Sequence, residues 1–248
     1  TDFRAFNATD TLPGAGTHCA IDAEFVRLLR EEIDVGADGA RTITRPHRSG
    51  LARVSVLRGD EPEQGVPFID DYISIDDPIE DYLPEYSGLR PGDLTLGMSR
   101  YVLVNLKAVY KKLWVLLNLG CKFIGHGLKS DFRTINIHVP ESQVIDTQEL
   151  FSLGSRARRK LSLRFLAWLL LREDIQSSGP EAGHNSIEDA ATALKLWRKY
   201  LEFVDAGILE SMIDEIWVKG KACDFRVPAE RFGKATGGME SAPGTPRR

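Results

Sequence analysis

Residues 18–26 read HCAIDAEFV, a mostly apolar run broken by two acids, Asp22 and Glu24. Such a run predicts a buried β-strand. Strand side chains alternate between faces, so positions two apart point the same way. Asp22 and Glu24 therefore share a face, a few residues from apolar neighbours. Two carboxylates so close repel each other, and burial worsens the repulsion. A divalent cation supplies the missing charge, and hard oxygen ligands of this kind suit Mg²⁺ or Mn²⁺. Taken alone, the pair also fits an edge strand carrying two hydrated acids.

Outward from that strand, residues 29–50 are rich in Arg, Asp, Gly and Thr and read as a hairpin tip. Residues 51–57 (LARVSVL) alternate as a strand, and residues 66–75 (VPFIDDYISI) read as another. Three successive strands joined by turn residues predict an antiparallel meander. Residues 78–97 hold several Pro and Gly and form a connection. Residues 99–119 follow a helical pattern, with Val102, Leu106, Val109, Leu113, Leu116 and Leu117 near one face and Gly120 ending it. Short strands are expected at 122–125 and 143–146, and helices at 128–135, 161–171, 187–204 and 206–218. Meander first, then alternating strand and helix, predicts one mixed-sheet α/β domain with helices on both faces. We read 1–17 as a lead-in, 18–219 as the domain, and 220–248 as an extension whose Pro/Gly-rich end is mobile.

The bulk composition limits the classes that remain. The chain has 248 residues, 42% hydrophobic and 27% charged, which suits a globular core. No apolar stretch is long enough to span a bilayer, and no secretory signal opens the chain. Residue 1 is Thr, and the chain reads as a piece of a longer protein. The three cysteines are widely spaced and lack a C-x-x-C pair, which speaks for a reducing, cytoplasmic setting over a disulfide framework or zinc site. A net charge of -4 argues against broad, non-specific coating of nucleic acid.

Two further stretches place polar chemistry in unusual positions. GHGLKSD (125–131) puts a Gly-His-Gly turn after an apolar strand and Asp131 on the first turns of a helix. Acids there commonly just complement the helix dipole. HNSIEDAATAL (184–194) puts His184 before a helix and Asp189 within it, followed by small residues that permit close packing. Asp189 then faces a packed surface, which is costly unless it ligates or pairs. Glu188 points about 100° away on a helix and reads as a hydrated acid.

Each stretch alone has an ordinary structural explanation, but the ordered set is specific. An acid pair on the first strand, an acid after G-H-x-L, and a late H-x4-D resemble the three motifs of the DEDDh 3′→5′ exonucleases. These belong to the ribonuclease-H-like superfamily. The segments DYLPEYSGLRPGDL, GHGLKSDFRTINIHVP, QVIDTQELF and HNSIEDAATALKLWRKY look like the nuclease domain of the Pan-type poly(A)-specific deadenylases. The similarity covers roughly residues 19–200, and no catalytic position departs from the pattern.

The resemblance implies a ribonuclease-H-like sheet, an antiparallel meander plus parallel strands flanked by helices. It implies a two-metal exoribonuclease that shortens mRNA poly(A) tails and releases 5′-AMP. Asp22, Glu24, Asp131 and Asp189 would hold two Mg²⁺ or Mn²⁺ ions, with Asp22 between them, and His184 would accept the proton of the attacking water. Asp146, before Thr147, reads as a turn cap. The implied partners are the 3′ end of single-stranded RNA, a regulatory partner subunit and upstream domains of the same polypeptide. Candidate substrate contacts are Phe25, His126, Ser162 and the basic run of Arg156, Arg158, Arg159 and Lys160. For Phe25 we favour core packing, since it alternates away from Glu24. Trp114, Trp168 and Trp197 read as core. Two rivals stay open: a related exonuclease acting on other RNA or single-stranded DNA, and a non-catalytic RNA-binding scaffold.

Overall fold

A computed structural model describes residues 2–6, 10, 12–29, 32–46, 48–152, 159–176 and 183–228. The acid-bearing run becomes β1 (His18–Leu29). The expected hairpin tip is a separate exposed ribbon, β2 (Glu32–Val35) against β3 (Arg41–Arg45). β4 (Arg48–Arg58) and β5 (Pro67–Ile73) complete the antiparallel meander. β6 (Leu103–Val104), β7 (Lys122–Gly125) and β8 (Val144–Asp146) add parallel pairings. The six-stranded order is β6-β5-β4-β1-β7-β8, so the acids lie on a central strand and not on an edge. This is the mixed ribonuclease-H-like sheet that the sequence predicts.

Helices cover both faces. One face packs α2 (Leu106–Asn118) and α3 (Leu128–Ile135). Val109, Leu113 and Leu116 from α2, with Phe132 and Ile135 from α3, bury against Cys19, Ile21, Val54 and Phe123. Phe25 packs on this same side, opposite Asp22 and Glu24. The other face packs α6 (Ser186–Asp205), whose Ala190, Leu194 and Trp197 sit on Ala20, Leu57 and Ile124. A short turn α1 (Pro84–Ser87) lies in the connection after β5, and α4 (Thr147–Leu150) follows β8. α5 (Leu163–Leu166) runs into a π-helical turn (Ala167–Leu171), and with α7 (Leu209–Ala222) both pack against the far side of α6.

Several boundaries depart from expectation for local reasons. The long helix starts at Leu106, not residue 99, because the Asn105 side chain accepts from the Ala108 amide and caps it. Leu103–Val104 instead pair with Tyr72 and Ile73, and Val102 is 86% exposed. Leu106 is 41% exposed, so the apolar face is narrower than its spacing suggests. Trp197 is buried and Trp168 partly so, while Trp114 is exposed on α2. The expected boundary after residue 219 falls inside α7, whose Gly220 lies tightly under the Phe225 ring. The tail expected to be mobile lies, from residue 229 on, outside the described residues.

Gly125 ends β7 where the chain turns toward α3. A Cβ there would sit 2.4 Å from Leu128 Cδ2 and 2.7 Å from the Ile21 carbonyl oxygen. Only the bare α-carbon lets β7, β1 and α3 meet so closely. Gly125→Ala should therefore lower stability by about 1–3 kcal/mol, the usual cost of overpacking. The midpoint of urea unfolding measures this, and an unchanged midpoint would show that the junction has slack.

Candidate active site

β1 delivers Asp22 and Glu24, α6 delivers Asp189, and the segment before α6 delivers His184. One carboxylate oxygen from each of Asp22, Glu24 and Asp189 lies within 4.8 Å of the others. Glu24 and Asp189 are buried, and Asp22 is half-buried. Among the described residues, buried Glu24 Oε1 and Asp189 Oδ1 have no hydrogen-bond partner. A buried acceptor left without a donor costs about 1–3 kcal/mol, more when charged. An all-oxygen set with two orphaned acceptors fits a divalent cation.

The electrostatics agree with the geometry. Burial, then the charges of Glu24, Asp189 and Asp131, push the Asp22 carboxyl well above the ordinary carboxylate range. Burial and Asp189 lift Glu24 to about 8. Burial lifts Asp189 to about 7, although Gln176 Nε2 donates to its Oδ2 at 2.8 Å and opposes the shift. Asp131, on α3, lies outside the group of three, yet its charge reaches Asp22 and Glu24. Burial and Asp146 raise Asp131 itself to about 7. His184 Nδ1 lies 3.4 Å from Asp189 Oδ2. Burial, aided by the Arg164 charge, lowers the His184 pKa and keeps the ring neutral near pH 7.

A polar bolt fastens the helix to the sheet here. Arg53 stands opposite Glu24 across the β1–β4 ladder, and Ser55 opposite Asp22. Arg53 Nε and Nη2 donate to the two oxygens of Asp70 at 2.8 and 3.1 Å, and Nη1 donates to Asn185 Oδ1 at 3.1 Å. The Ser55 hydroxyl donates to Asp70 Oδ1 at 2.8 Å and lies 2.5 Å from Ser186 Oγ. Asn185 in turn caps α6 by accepting from the Ile187 amide. The start of α6, and with it His184 and Asp189, is thus fixed over the acid pair. Arg53 also supplies positive charge that favours ionised Asp22 and Glu24. Neither Arg53, Asp70, Ser55 nor Gln176 stands out in the sequence; an ionisable pair inside two apolar strands was the available signal for Arg53 and Asp70.

The other expected contacts fall elsewhere. His126 uses its ring within the protein: Nε2 donates to the Leu161 carbonyl at 2.9 Å, and Nδ1 lies 3.0 Å from Thr147 Oγ1. It fastens the 161 segment to β7 and has no nitrogen to spare for RNA. Ser162 caps α5 by accepting from the Phe165 amide. Lys160 is exposed, while Arg159 leans on Asp224 and the Phe225 ring. Arg156 and Arg158 lie outside the described residues. Asp146 accepts from the Gly127 and Gln148 amides, fixing the turn into α3 and the start of α4.

Two outcomes test this arrangement. The three acids carry folded pKa values above their unfolded ones, so the fold holds protons that the unfolded chain has released. Without metal, stability should fall as pH rises from about 4 to about 8. Asp189→Asn should raise the melting temperature of the chelator-treated protein at about pH 8 and abolish any rise on adding Mg²⁺; a lower one under chelation would argue against charge crowding. For the bolt, Arg53→Ala should cost about 3–5 kcal/mol, because it strands Asp70. The Arg53→Ala, Asp70→Ala double variant should lose less than the two single losses summed; strict additivity in denaturation would mean the pair is uncoupled.

Comparison with known proteins identifies the family. An exonuclease family model, RNase T, matches residues 19–197. The catalytic subunit pan2 of the PAN2-PAN3 deadenylation complex from Aspergillus terreus is 55% identical over 95% of this chain and 20% of its own length. Its counterpart from Chaetomium thermophilum is 57% identical over 91% of this chain and 19% of its own. The chain thus spans about a fifth of these relatives. A Saccharomyces cerevisiae Pan2 pseudoubiquitin hydrolase–RNA exonuclease module in complex with A7 RNA aligns with a TM-score of 0.80 at 44% identity, over 92% of this chain and 35% of that one. The Neurospora crassa Pan2 catalytic unit, protease and nuclease domain, aligns at 0.74 and 46%, over 87% and 32%. Because the matched span runs from the strand bearing Asp22 and Glu24 through the helix bearing Asp189, the chain belongs to the RNase T exonuclease family.

Proposed function

We propose that this chain is the nuclease portion of a poly(A) deadenylase, removing nucleotides one at a time from the 3′ end of mRNA and releasing 5′-AMP. The observation that carries the nuclease reading is the trio of crowded carboxylates with two orphaned buried oxygens. The adenosine preference rests on the likeness to deadenylase subunits over nearly the whole chain.

Asp22, Glu24 and Asp189, with Asp131 nearby, would hold divalent cations, for which Mg²⁺ is our choice and Mn²⁺ the substitute. Bound there, the cations acidify a water and offset charge on the phosphate. His184, neutral near pH 7, takes the proton of the attacking water as its oxygen bonds to the terminal phosphorus. The bond from phosphorus to the 3′ oxygen of the penultimate ribose breaks, and that oxygen leaves as a hydroxyl after taking a proton from solvent water. Asp189 Oδ2, beside His184 Nδ1, orients the ring and stabilises the imidazolium that forms. The Arg53–Asp70–Asn185 bolt keeps both groups over β1 during turnover.

By the same likeness, the chain works within a longer polypeptide and beside a Pan3-type regulatory subunit, on cytoplasmic mRNA. No helix among the described residues is long and apolar enough to cross a membrane.

The decisive measurement is a Mg²⁺-dependent time course on RNA with a 3′ oligo(A) tail, run beside a non-adenosine 3′ end and single-stranded DNA. AMP should appear from the first exonucleolytic cuts, and the other two ends should lag. Asp22→Ala should abolish release, and His184→Ala should slow it by about 10²–10⁴-fold while RNA binding persists. Internal fragments, or no nucleotide with either Mg²⁺ or Mn²⁺, would sink the proposal; equal rates on all ends would leave an exonuclease without the deadenylase assignment.

A further inference from the structure

Beside the Arg53–Asp70–Asn185 bolt stand two side chains that the hydrolytic step does not use, Tyr72 of β5 and Tyr101, just before β6. Hydrogen bonds hold the Arg53 guanidinium by its edge, through Nε, Nη1 and Nη2. Its flat face lies over the Tyr72 ring, with Cζ 4.7 Å from the ring centroid. Arg53 and Tyr72 stand opposite each other across the β4–β5 ladder, so the sheet register itself builds this contact. The Tyr101 ring stacks on Tyr72, with centroids 3.7 Å apart and planes inclined by only 6°. Arg100 closes the column, its Cζ 4.9 Å from the Tyr101 centroid. The order is therefore Arg53, Tyr72, Tyr101, Arg100.

Two aromatic rings seldom settle face to face, because both faces are negative and repel. A cation over a ring face is attracted to that same charge. A guanidinium at each end makes this sandwich favourable, so the place of each ring depends on its neighbours. Tyr101 also has a fixed seat. Its amide donates to the Ser99 hydroxyl at 3.0 Å, and that hydroxyl donates to the Asp93 carbonyl at 2.6 Å. Asp93 Oδ1 lies 3.4 Å from Arg100 Nε. Two residues on, Leu103 pairs with Tyr72 in the β5–β6 ladder. Tyr72 packs with buried Val26, Leu89 and Leu94, while Tyr101 is only half-buried on that cluster. The column thus ties Arg53, at the acid site, to the connection that follows β5.

We infer that Tyr101 is a positioning residue of the nuclease site, holding Arg53 through Tyr72 in the plane where it meets the start of α6. Hydrogen bonds within the guanidinium plane set its direction there but leave it free to tilt about the Asp70 edge. Pressed through Tyr72, Tyr101 blocks that tilt and keeps Arg53 Nη1 in line with Asn185 Oδ1, the cap of α6. Where α6 starts decides where His184 and Asp189 stand over Asp22 and Glu24. Tyr101 transfers no proton and acts through Arg53. Its effect on turnover rests on the exonuclease reading above; its effect on the start of α6 does not.

The test pairs Tyr101→Leu, which keeps apolar bulk without a ring, with Tyr101→Phe, which keeps the ring without the hydroxyl. In EDTA, with neither metal nor turnover, amide hydrogen exchange at residues 189–191 should quicken roughly 2- to 30-fold in Tyr101→Leu, the coupling that one residue can carry. Tyr101→Phe should exchange there like the wild type, and the amides of α2 should keep their rate in both. With Mg²⁺ and oligo(A), Tyr101→Leu should lower kcat roughly 10- to 100-fold, as a small misplacement of catalytic groups does, with KM little changed. In an Asn185→Ala background, where the link from Arg53 to α6 is already cut, Tyr101→Leu should quicken exchange hardly further. Wild-type exchange at 189–191 in Tyr101→Leu, equal quickening in Tyr101→Phe, or strictly additive effects of Tyr101→Leu and Asn185→Ala would overturn the positioning role. AMP release by the wild-type chain is scored separately. If release fails while exchange tracks the Tyr101 ring, the exonuclease reading falls and the positioning role stands; active enzyme with Tyr101-independent exchange and kcat gives the reverse.

Discussion

Like charges forced together in a buried place are the constraint around which the rest of this structure is arranged. Asp22 and Glu24 share a face because a strand has a period of two, and Asp189 comes down on them because α6 packs on that face. Left alone, the three carboxylates repel, and two of their buried oxygens lack donors. The protein does not relieve this with nearby hydrogen bonds to every oxygen. Gln176 satisfies one oxygen of Asp189, and Arg53 supplies charge at a distance. The remaining deficit is what gives a divalent cation its affinity, so the instability of the empty site and its capacity to bind are the same physical quantity.

Holding such a site together requires the surroundings to be stiffer than the repulsion is strong. The opposite face of the sheet does part of this, with α2 and α3 burying aliphatic and aromatic side chains against β1, β4 and β7. Phe25 belongs to that apolar layer, directly behind the acid pair. On the acidic face, apolar packing is interrupted where the carboxylates sit, and the Arg53–Asp70–Ser55–Ser186–Asn185 network substitutes for it. An ion pair of that kind adds little net stability over a greasy substitute. Its value lies in direction: it fixes which residue of α6 meets which residue of β1.

The same logic separates the residues legible in the sequence from those that were not. Asp22 and Glu24 were legible because strand alternation is local, and a same-face acid pair in an apolar run contradicts its surroundings. Asp189 was legible through a small-residue stripe, whereas Asp131 and His184 were legible chiefly through the likeness of the ordered motifs. The α3 boundaries and the Asp146 cap followed from short-range turn chemistry. His126, by contrast, was a candidate substrate contact, yet Thr147 and the Leu161 carbonyl occupy its ring. The start of α2 was misplaced because residues 99–104 are apolar enough to continue a helix, while β5 offered them an unpaired edge.

The sequence by itself determined the local rules: which residues alternate, where helices begin, and the order of the three acidic motifs whose likeness names the family. Tertiary structure alone decided what those residues meet. Arg53 reaches Asn185 across 132 positions, Ser55 reaches Ser186 across 131, and the α1 turn meets the His184 segment through two glycines far apart in the chain. Periodicity and capping act over a few residues, so they carry no record of such pairings. Those are set by how the sheet orders its strands and by where α6 comes to rest.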